Sequence, residues 1–362
     1  MLPRLFSTVY TFLCMFKRLK KPAEKPEQPL YDRQPGLSRR DLLKRLAYTA
    51  GGVAVMGPYV QRLDSIATHE RWPDDDFMII PSEGSETLAN GGEEWLVFGG
   101  FGQKYSVNAA QELFSAIGQR QVVASIMYPN QGFTIEELGA CIEEYVQARH
   151  MSTLNIVGVS MGLPTALMAL TTLRAGAKPT SLPKINYLAA YSSPADVRDA
   201  IDGDLAQLVS DLGKYTDHMP VIPPKFIYSL LDGDGDAQRF LNIQDNAQWV
   251  QHIRDSIKQT MNDCSPELAL SQIKIISAFN VEEQWQSLRN IVSPGNTKFI
   301  YCAPSGGDDT VDNTNAANKY RDALTRLSVP TTVLDTGLSG HANTVASAQV
   351  LGRLVAHQTT IH

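Results

Sequence analysis

Short apolar runs alternate with longer amphipathic segments along most of this chain. Glu94-Trp95-Leu96-Val97-Phe98, Gln121 to Met127, Leu154-Asn155-Ile156-Val157, Ile185 to Tyr191, Lys298 to Cys302 and Thr331-Thr332-Val333-Leu334 have the length and composition of buried strands. Between them, Asn108 to Ile117, Thr134 to Arg149, the stretch after Ser160, Thr314 to Leu327 and Thr344 to His357 carry apolar residues at helical spacing. Thr134 is placed to cap its helix, with Glu136 and Glu137 near the positive end of the dipole. Strands that alternate with helices predict an α/β fold, a mostly parallel central sheet flanked by helices.

The alternation stops at about residue 197 and resumes at about 298. The intervening span is mostly helical in pattern and contains no clear strand pair. An inserted block between strands of a parallel sheet is expected at the sheet's C-terminal edge, where open α/β sheets bind ligands, so 197–297 is a candidate lid. The predicted organisation is an N-terminal targeting or anchor segment with linker (1–67), a first part of the core (68–196), the helical insertion (197–297) and a second part of the core (298–362). Asp232-Gly233-Asp234-Gly235-Asp236 superficially resembles a calcium loop. Ala237 stands where that loop needs glycine, and Ile243 where it needs a bidentate glutamate, so the segment reads as an acidic turn.

Composition changes this picture mainly at the N-terminus. The 362 residues carry a net charge of −6. Residues 1–45 hold eleven Lys/Arg against four Asp/Glu, which leaves the rest of the chain strongly acidic. An acidic body excludes a general nucleic-acid-binding surface, and a basic leader points to targeting or to an anionic membrane face. Phe6 to Phe16 is apolar and ends in Lys17-Arg18-Leu19-Lys20-Lys21, a pattern suited to a membrane interface. Leu37-Ser38-Arg39-Arg40-Asp41-Leu42-Leu43-Lys44 resembles the twin-arginine export signal of bacteria, and the weakly apolar run Leu46 to Val60 follows it. That resemblance implies an exported or membrane-associated protein, with a cytoplasmic one as the alternative. Cys14, Cys141, Cys264 and Cys302 are widely spaced, without the pairing or histidine clusters of a zinc site. Neither a P-loop nor any other cofactor motif is present, so no cofactor or metal is expected.

Candidate chemistry centres on Gly158-Val159-Ser160-Met161-Gly162, a G-x-S-x-G motif set between a strand and a helix. A serine on so sharp a turn is exposed and close to the positive end of the helix. A hydroxyl needs a base to become a nucleophile, and a carboxylate to hold that base in the right tautomer. Of His69, His150, His218, His252, His341, His357 and His362, only His341 sits in a glycine-rich loop after a predicted strand. The acid is expected in Ser305 to Asp312, just past the strand ending near Cys302. Asp309 is preferred there because Thr310-Val311 follows it; Asp308 competes, and Asp196 is a more distant alternative. Two backbone amides should receive the developing oxyanion: that of Met161 and, from the loop Gly99-Gly100-Phe101-Gly102, that of Phe101.

These residues, in the order nucleophile, acid, histidine, resemble the α/β-hydrolase superfamily over roughly residues 93–360. Gly99-Gly100 stands where that superfamily often has His-Gly. The resemblance implies a serine hydrolase, esterase- or lipase-like, that cleaves a small-molecule carboxylic ester through an acyl-enzyme. The same triad could serve an acyltransferase, and the same fold a non-catalytic binding protein.

Overall fold

The computed structural model describes residues 76–88, 92–100, 104–175, 182–199, 265–308 and 310–359, all within one compact unit. The leader, the twin-arginine-like segment, residues 200–264 of the insertion, the calcium-like turn, Phe101 and Asp309 lie outside the described residues.

Seven strands form one sheet: β1 (Met78–Pro81), β2 (Glu93–Phe98), β3 (Val122–Met127), β4 (Thr153–Val159), β5 (Lys184–Tyr191), β6 (Lys298–Ala303) and β7 (Thr331–Asp335). Their order is β1-β3-β2-β4-β5-β6-β7, with β1 antiparallel to β3 and every other pair parallel. The predicted α/β class is therefore the observed one. The pattern missed β1, whose four residues are too few to show a period and which serves as an edge.

The helices among the described residues are α1 (Lys104–Ala116), α2 (Ile135–Ala148), α3 (Gly162–Ala175), α4 (Pro266–Ala278), α5 (Val281–Leu288), α6 (Asn313–Thr325) and α7 (Thr344–Thr359). Each predicted helix is present, although α1 opens at Lys104 rather than Asn108. The cap on α2 is a full reciprocal box. Thr134 Oγ1 accepts from the Glu137 amide at 3.2 Å, and Glu137 Oε2 accepts from the Thr134 amide at 2.7 Å. Leu138, Ile142 and Val146, four residues apart, give α2 its buried stripe.

Alternation along the strands divides the core into two layers. Trp95, Val97, Val123, Val157, Val159, Ala189, Tyr191, Ile300 and Cys302 meet Ala109, Leu113 and Phe114 of α1 and Ala348, Leu351 and Val355 of α7. On the opposite face, Phe299 stacks on Tyr320 of α6, with ring centroids 5.1 Å apart. Inner strands covered on both faces explain why they read as continuous apolar runs.

The end of the insertion belongs to these layers. Residues 265–297 supply α4 and α5; the Val281 amide donates to the Ala195 carbonyl, and Asn280 bridges to Asp196. Chain order places the switch in sheet direction between β2 and β4, because β2 leads outward to β3 and the chain returns across β2 to β4. The loops after β2 and β4 thus flank the crevice where such sheets gather ligands.

Candidate active site

Ser160 follows β4 directly, with φ of 52°, in the left-handed region that costs a residue with a Cβ of order 1–3 kcal/mol. The turn is held from both sides. The Ser160 amide donates to the Tyr191 carbonyl at 2.8 Å, and Ser193 Oγ donates to the Ser160 carbonyl at 2.6 Å. Both glycines of the motif are sterically required. A Cβ on Gly158 would lie 2.2 Å from the Leu163 amide nitrogen, and one on Gly162 would lie 2.2 Å from the Phe98 carbonyl oxygen. The helix therefore starts pressed against the ends of β2 and β4. Met161 is buried at the head of α3, and its carbonyl accepts from the Thr165 amide and hydroxyl.

His341 comes from the loop after β7. Its Nε2 lies 2.8 Å from Ser160 Oγ, and its Nδ1 lies 3.0 Å and 3.1 Å from the two oxygens of Asp308. A carboxylate at Nδ1 fixes the tautomer: Nδ1 carries the hydrogen and Nε2 offers its lone pair to the serine hydroxyl.

The acid that meets this ring is Asp308, the competitor of the preferred Asp309, which lies outside the described residues. Further contacts hold Asp308 in this place. Its Oδ1 also accepts from the Thr310 and Val311 amides at 2.8 Å and 3.0 Å, and its Oδ2 accepts from Asn313 Nδ2 at 2.7 Å. Thr310-Val311 thus hold the Asp308 carboxylate through their backbone. Burial by itself would raise the Asp308 carboxyl. The hydrogen bond and charge of His341 and the two amides outweigh burial and bring it down to about 2. The carboxylate is thus ionised at any pH near neutrality.

Asn313 and Tyr301 extend the site in a way no local motif announces. Asn313 opens α6 and places its Oδ1 2.8 Å from the Tyr301 hydroxyl, which is also 2.9 Å from the Ser193 carbonyl. Since Asn313 Nδ2 faces a carboxylate, its oxygen must face the phenol, which donates its one hydrogen between two acceptors. Desolvation holds the Tyr301 hydroxyl well above its ordinary range, so it remains protonated. The contacts close a ring: Ser160 to His341, Asp308, Asn313, Tyr301, Ser193 and back to the Ser160 backbone.

Asp196, the third aspartate considered, belongs to a separate network. It pairs with Arg198 and with Lys319 of α6, whose ammonium also reaches Asp199. Asp199 Oδ2 in turn accepts from the Ala195 and Asp196 amides, and Oδ1 from Asn315 Nδ2. Burial opposes ionisation of Asp196, but hydrogen bonds from Arg198 and Lys319 hold its carboxyl below the usual range. This network ties the segment after β5 to α6, which carries Asn313. Among the described residues, no group of three or more His, Cys, Asp or Glu side chains converges as a metal cradle would.

The sheet order, the antiparallel first strand and the loops that carry serine, acid and histidine after β4, β6 and β7 are those of the α/β-hydrolase fold. No family model and no curated protein sequence matches the chain. Among solved structures it is similar in outline to MenH from S. aureus, at 14% identity over 78% of this chain and 97% of that one, with a TM-score of 0.45. An esterase from Exiguobacterium antarcticum is 14% identical over 78% of this chain and 94% of its own, with a TM-score of 0.46. The enol-lactonase from Burkholderia xenovorans is 14% identical over 78% and 95%, with a TM-score of 0.44. These values describe an outline, and the functional reading rests on the geometry of the site.

Proposed function

We propose that this protein is a serine hydrolase that cleaves a carboxylic ester through an acyl-enzyme. One observation carries the reading: His341 bridges Ser160 Oγ and the Asp308 carboxylate at 2.8 Å and 3.0 Å, with the serine on a strained turn at a helix head. His341 Nε2 takes the hydroxyl proton as Oγ attacks the carbonyl carbon. The carbonyl electron pair moves to oxygen, which receives the Met161 and Phe101 amides. Collapse breaks the ester C–O bond, and His341 gives its proton to the leaving alkoxide. Water then enters, loses a proton to Nε2 and attacks the acyl carbon; the second collapse frees the acid and returns the proton to Ser160. Asp308 stays charged throughout and stabilises the imidazolium.

The substrate is a small-molecule ester; the basic, twin-arginine-like leader supports an exported or membrane-associated pool over a cytoplasmic one, which fractionation of the producing cell would test. The decisive experiment for the chemistry is labelling with a fluorophosphonate. Wild-type protein is expected to label at Ser160, and Ser160→Ala to remain unlabelled and to lose several orders of magnitude in turnover of p-nitrophenyl esters. A folded wild-type protein that takes no label would overturn the reading.

A further inference from the structure

Two strained serines stand side by side at the C-terminal edge of the sheet, and the triad uses one of them. Ser160 follows β4 with φ of 52°, and Ser192 follows β5, the next strand in the sheet, with φ of 47°. Val159 and Tyr191 are partners across the two strands, so both turns leave the sheet at one level. A left-handed residue with a Cβ persists only where its surroundings hold it, and such residues gather at functional sites. The Ser192 amide donates to the Cys302 carbonyl at 3.1 Å. Its turn brings Ser193 to the end of β4, where the Ser193 hydroxyl donates to the Ser160 carbonyl at 2.6 Å. Ser193 is fully buried, and so are the two tyrosines that hold its segment. The Tyr301 hydroxyl lies 2.9 Å from the Ser193 carbonyl, and the Tyr320 hydroxyl donates to the Pro194 carbonyl at 2.9 Å.

The Ser160 carbonyl and the Met161 amide form one planar trans unit, whose N–H points opposite its C=O. In the sheet, β4 lies between β5 and β2. A carbonyl turned toward the chain leaving β5 therefore turns the Met161 N–H toward the chain leaving β2. On that side a Cβ on Gly100 would lie 3.1 Å from Ser160 Cβ and 3.7 Å from its Oγ. Among the described residues the Met161 amide meets no acceptor, so it stands as a donor one bond from the nucleophile residue and facing the crevice. The following peptide is fixed already, since the Met161 carbonyl accepts from the Thr165 amide and hydroxyl. The tilt of the Ser160–Met161 plane rests on the hydroxyl of Ser193.

We propose that Ser193 is a positioning residue of the oxyanion hole. By holding the Ser160 carbonyl toward β5 it keeps the Met161 N–H turned into the crevice before substrate arrives, and donors aimed in advance are what oxyanion stabilisation requires. A plane released from Ser193 would rock, and a half turn would present a carbonyl oxygen, not an amide hydrogen, to the developing negative charge. The proposal rests on the hydrolase reading above and adds to it a residue that touches neither substrate nor the side chains of the triad.

The test compares wild type with Ser193→Ala, which removes the donor, and with Ser193→Thr, which keeps it. Two readouts are taken on folded protein, judged by a cooperative thermal melt: kcat and KM for a phenyl ester, and the carbonyl stretch of an isotope-labelled cinnamoyl acyl-enzyme by infrared difference spectroscopy. Hydrogen bonds to a carbonyl oxygen lower its stretching frequency, so the band reads the donors on that oxygen, whereas KM reports largely on ground-state contacts. For Ser193→Ala the expected result is a kcat lower by about 10- to 100-fold, a KM within about threefold, and an acyl band moved up toward the frequency of the free ester. Ser193→Thr is expected within about threefold of wild type, with the band in place. A kcat retained within about threefold in Ser193→Ala, a loss of kcat with the band unmoved, or a folded Ser193→Thr as impaired as Ser193→Ala would overturn the role of Ser193, while fluorophosphonate labelling of the wild type keeps the hydrolase reading intact. Failure of both variants to fold would make Ser193 a scaffold residue and equally end the proposal. Absence of wild-type labelling would remove both readings together.

Discussion

Ser160 and Asp308, the proposed nucleophile and acid, meet at one histidine, yet the two sides of the candidate site are built differently. Ser160 is held almost wholly by backbone: a left-handed turn, two glycines that admit no Cβ, and amide and carbonyl contacts to Tyr191 and Ser193. Asp308 is held by partners, two loop amides, the Asn313 side chain and His341 itself. Steric exclusion is all or nothing, whereas a set of hydrogen bonds can lose one member and keep the rest. The nucleophile side should therefore fail abruptly under substitution and the acid side by degrees.

The sharpest test of that contrast is Gly162→Ala. The added carbon would sit 2.2 Å from the Phe98 oxygen and 2.7 Å from the Gly99 oxygen, both of them backbone atoms. Backbone at the centre of a sheet has no cheap way to yield, so a destabilisation above about 4 kcal/mol is expected. Urea unfolding or soluble yield reads it directly. A variant within about 1 kcal/mol of wild type would show that the elbow is not sterically defined.

Next in size is the choice between the paired aspartates. Asp308→Asn leaves the fold standing but favours the wrong histidine tautomer, with an expected fall of about 10⁴ in kcat. Asp309→Asn is expected to stay within about threefold, since His341 Nδ1 keeps its contact with the Asp308 carboxylate. Equal losses in the two variants would dissolve the assignment of the acid to Asp308.

How much of this was legible in the sequence follows the same division. Steric requirements write themselves locally: Gly158 and Gly162 flank Ser160, and the strand before it and helix after it appear as a change in period. His341 was legible because a glycine-rich loop after a strand has few structural reasons to hold it. The meeting of Asp308 with His341 was not separable from its neighbour in the sequence, because it depends on which carboxylate the Thr310 and Val311 amides reach. Asn313, Tyr301 and Ser193 carried no signal, since their partners lie on other strands and helices and no spacing encodes the encounter. β1 escaped for another reason, being four residues long and paired with a strand far along the chain.

A smaller effect separates the two sides by pH. The Asp308 carboxyl is lowered from 3.8 to about 2 in the folded protein. A depressed carboxyl stabilises the native state above its unfolded value, and that contribution is lost as pH falls from about 4 through about 2. The amount is about 2 kcal/mol. Urea unfolding at pH 4.5 and at pH 2.5 should show wild type losing about 1.5 kcal/mol more than Asp308→Asn, most of that amount. Parallel losses would mean that the carboxylate is not specifically held.

The mildest change tests whether the hydrogen-bonded ring acts as a unit. Asn313→Ala removes one of the donors on Asp308 and leaves the Tyr301 hydroxyl with the Ser193 carbonyl alone. The two loop amides still grip Oδ1, so the carboxylate keeps its charge and loses only part of its orientation. A fall in kcat of about 10-fold with KM unchanged is expected, which corresponds to about 1.4 kcal/mol at the transition state. Tyr301→Phe in the same background then asks whether the far side of the ring matters. If the ring couples acid to nucleophile, removing Tyr301 costs less once Asn313 is gone than it does in wild type, the non-additivity expected of residues in one network. Strictly additive losses would divide the ring into two independent supports, one for Asp308 and one for the backbone of Ser160.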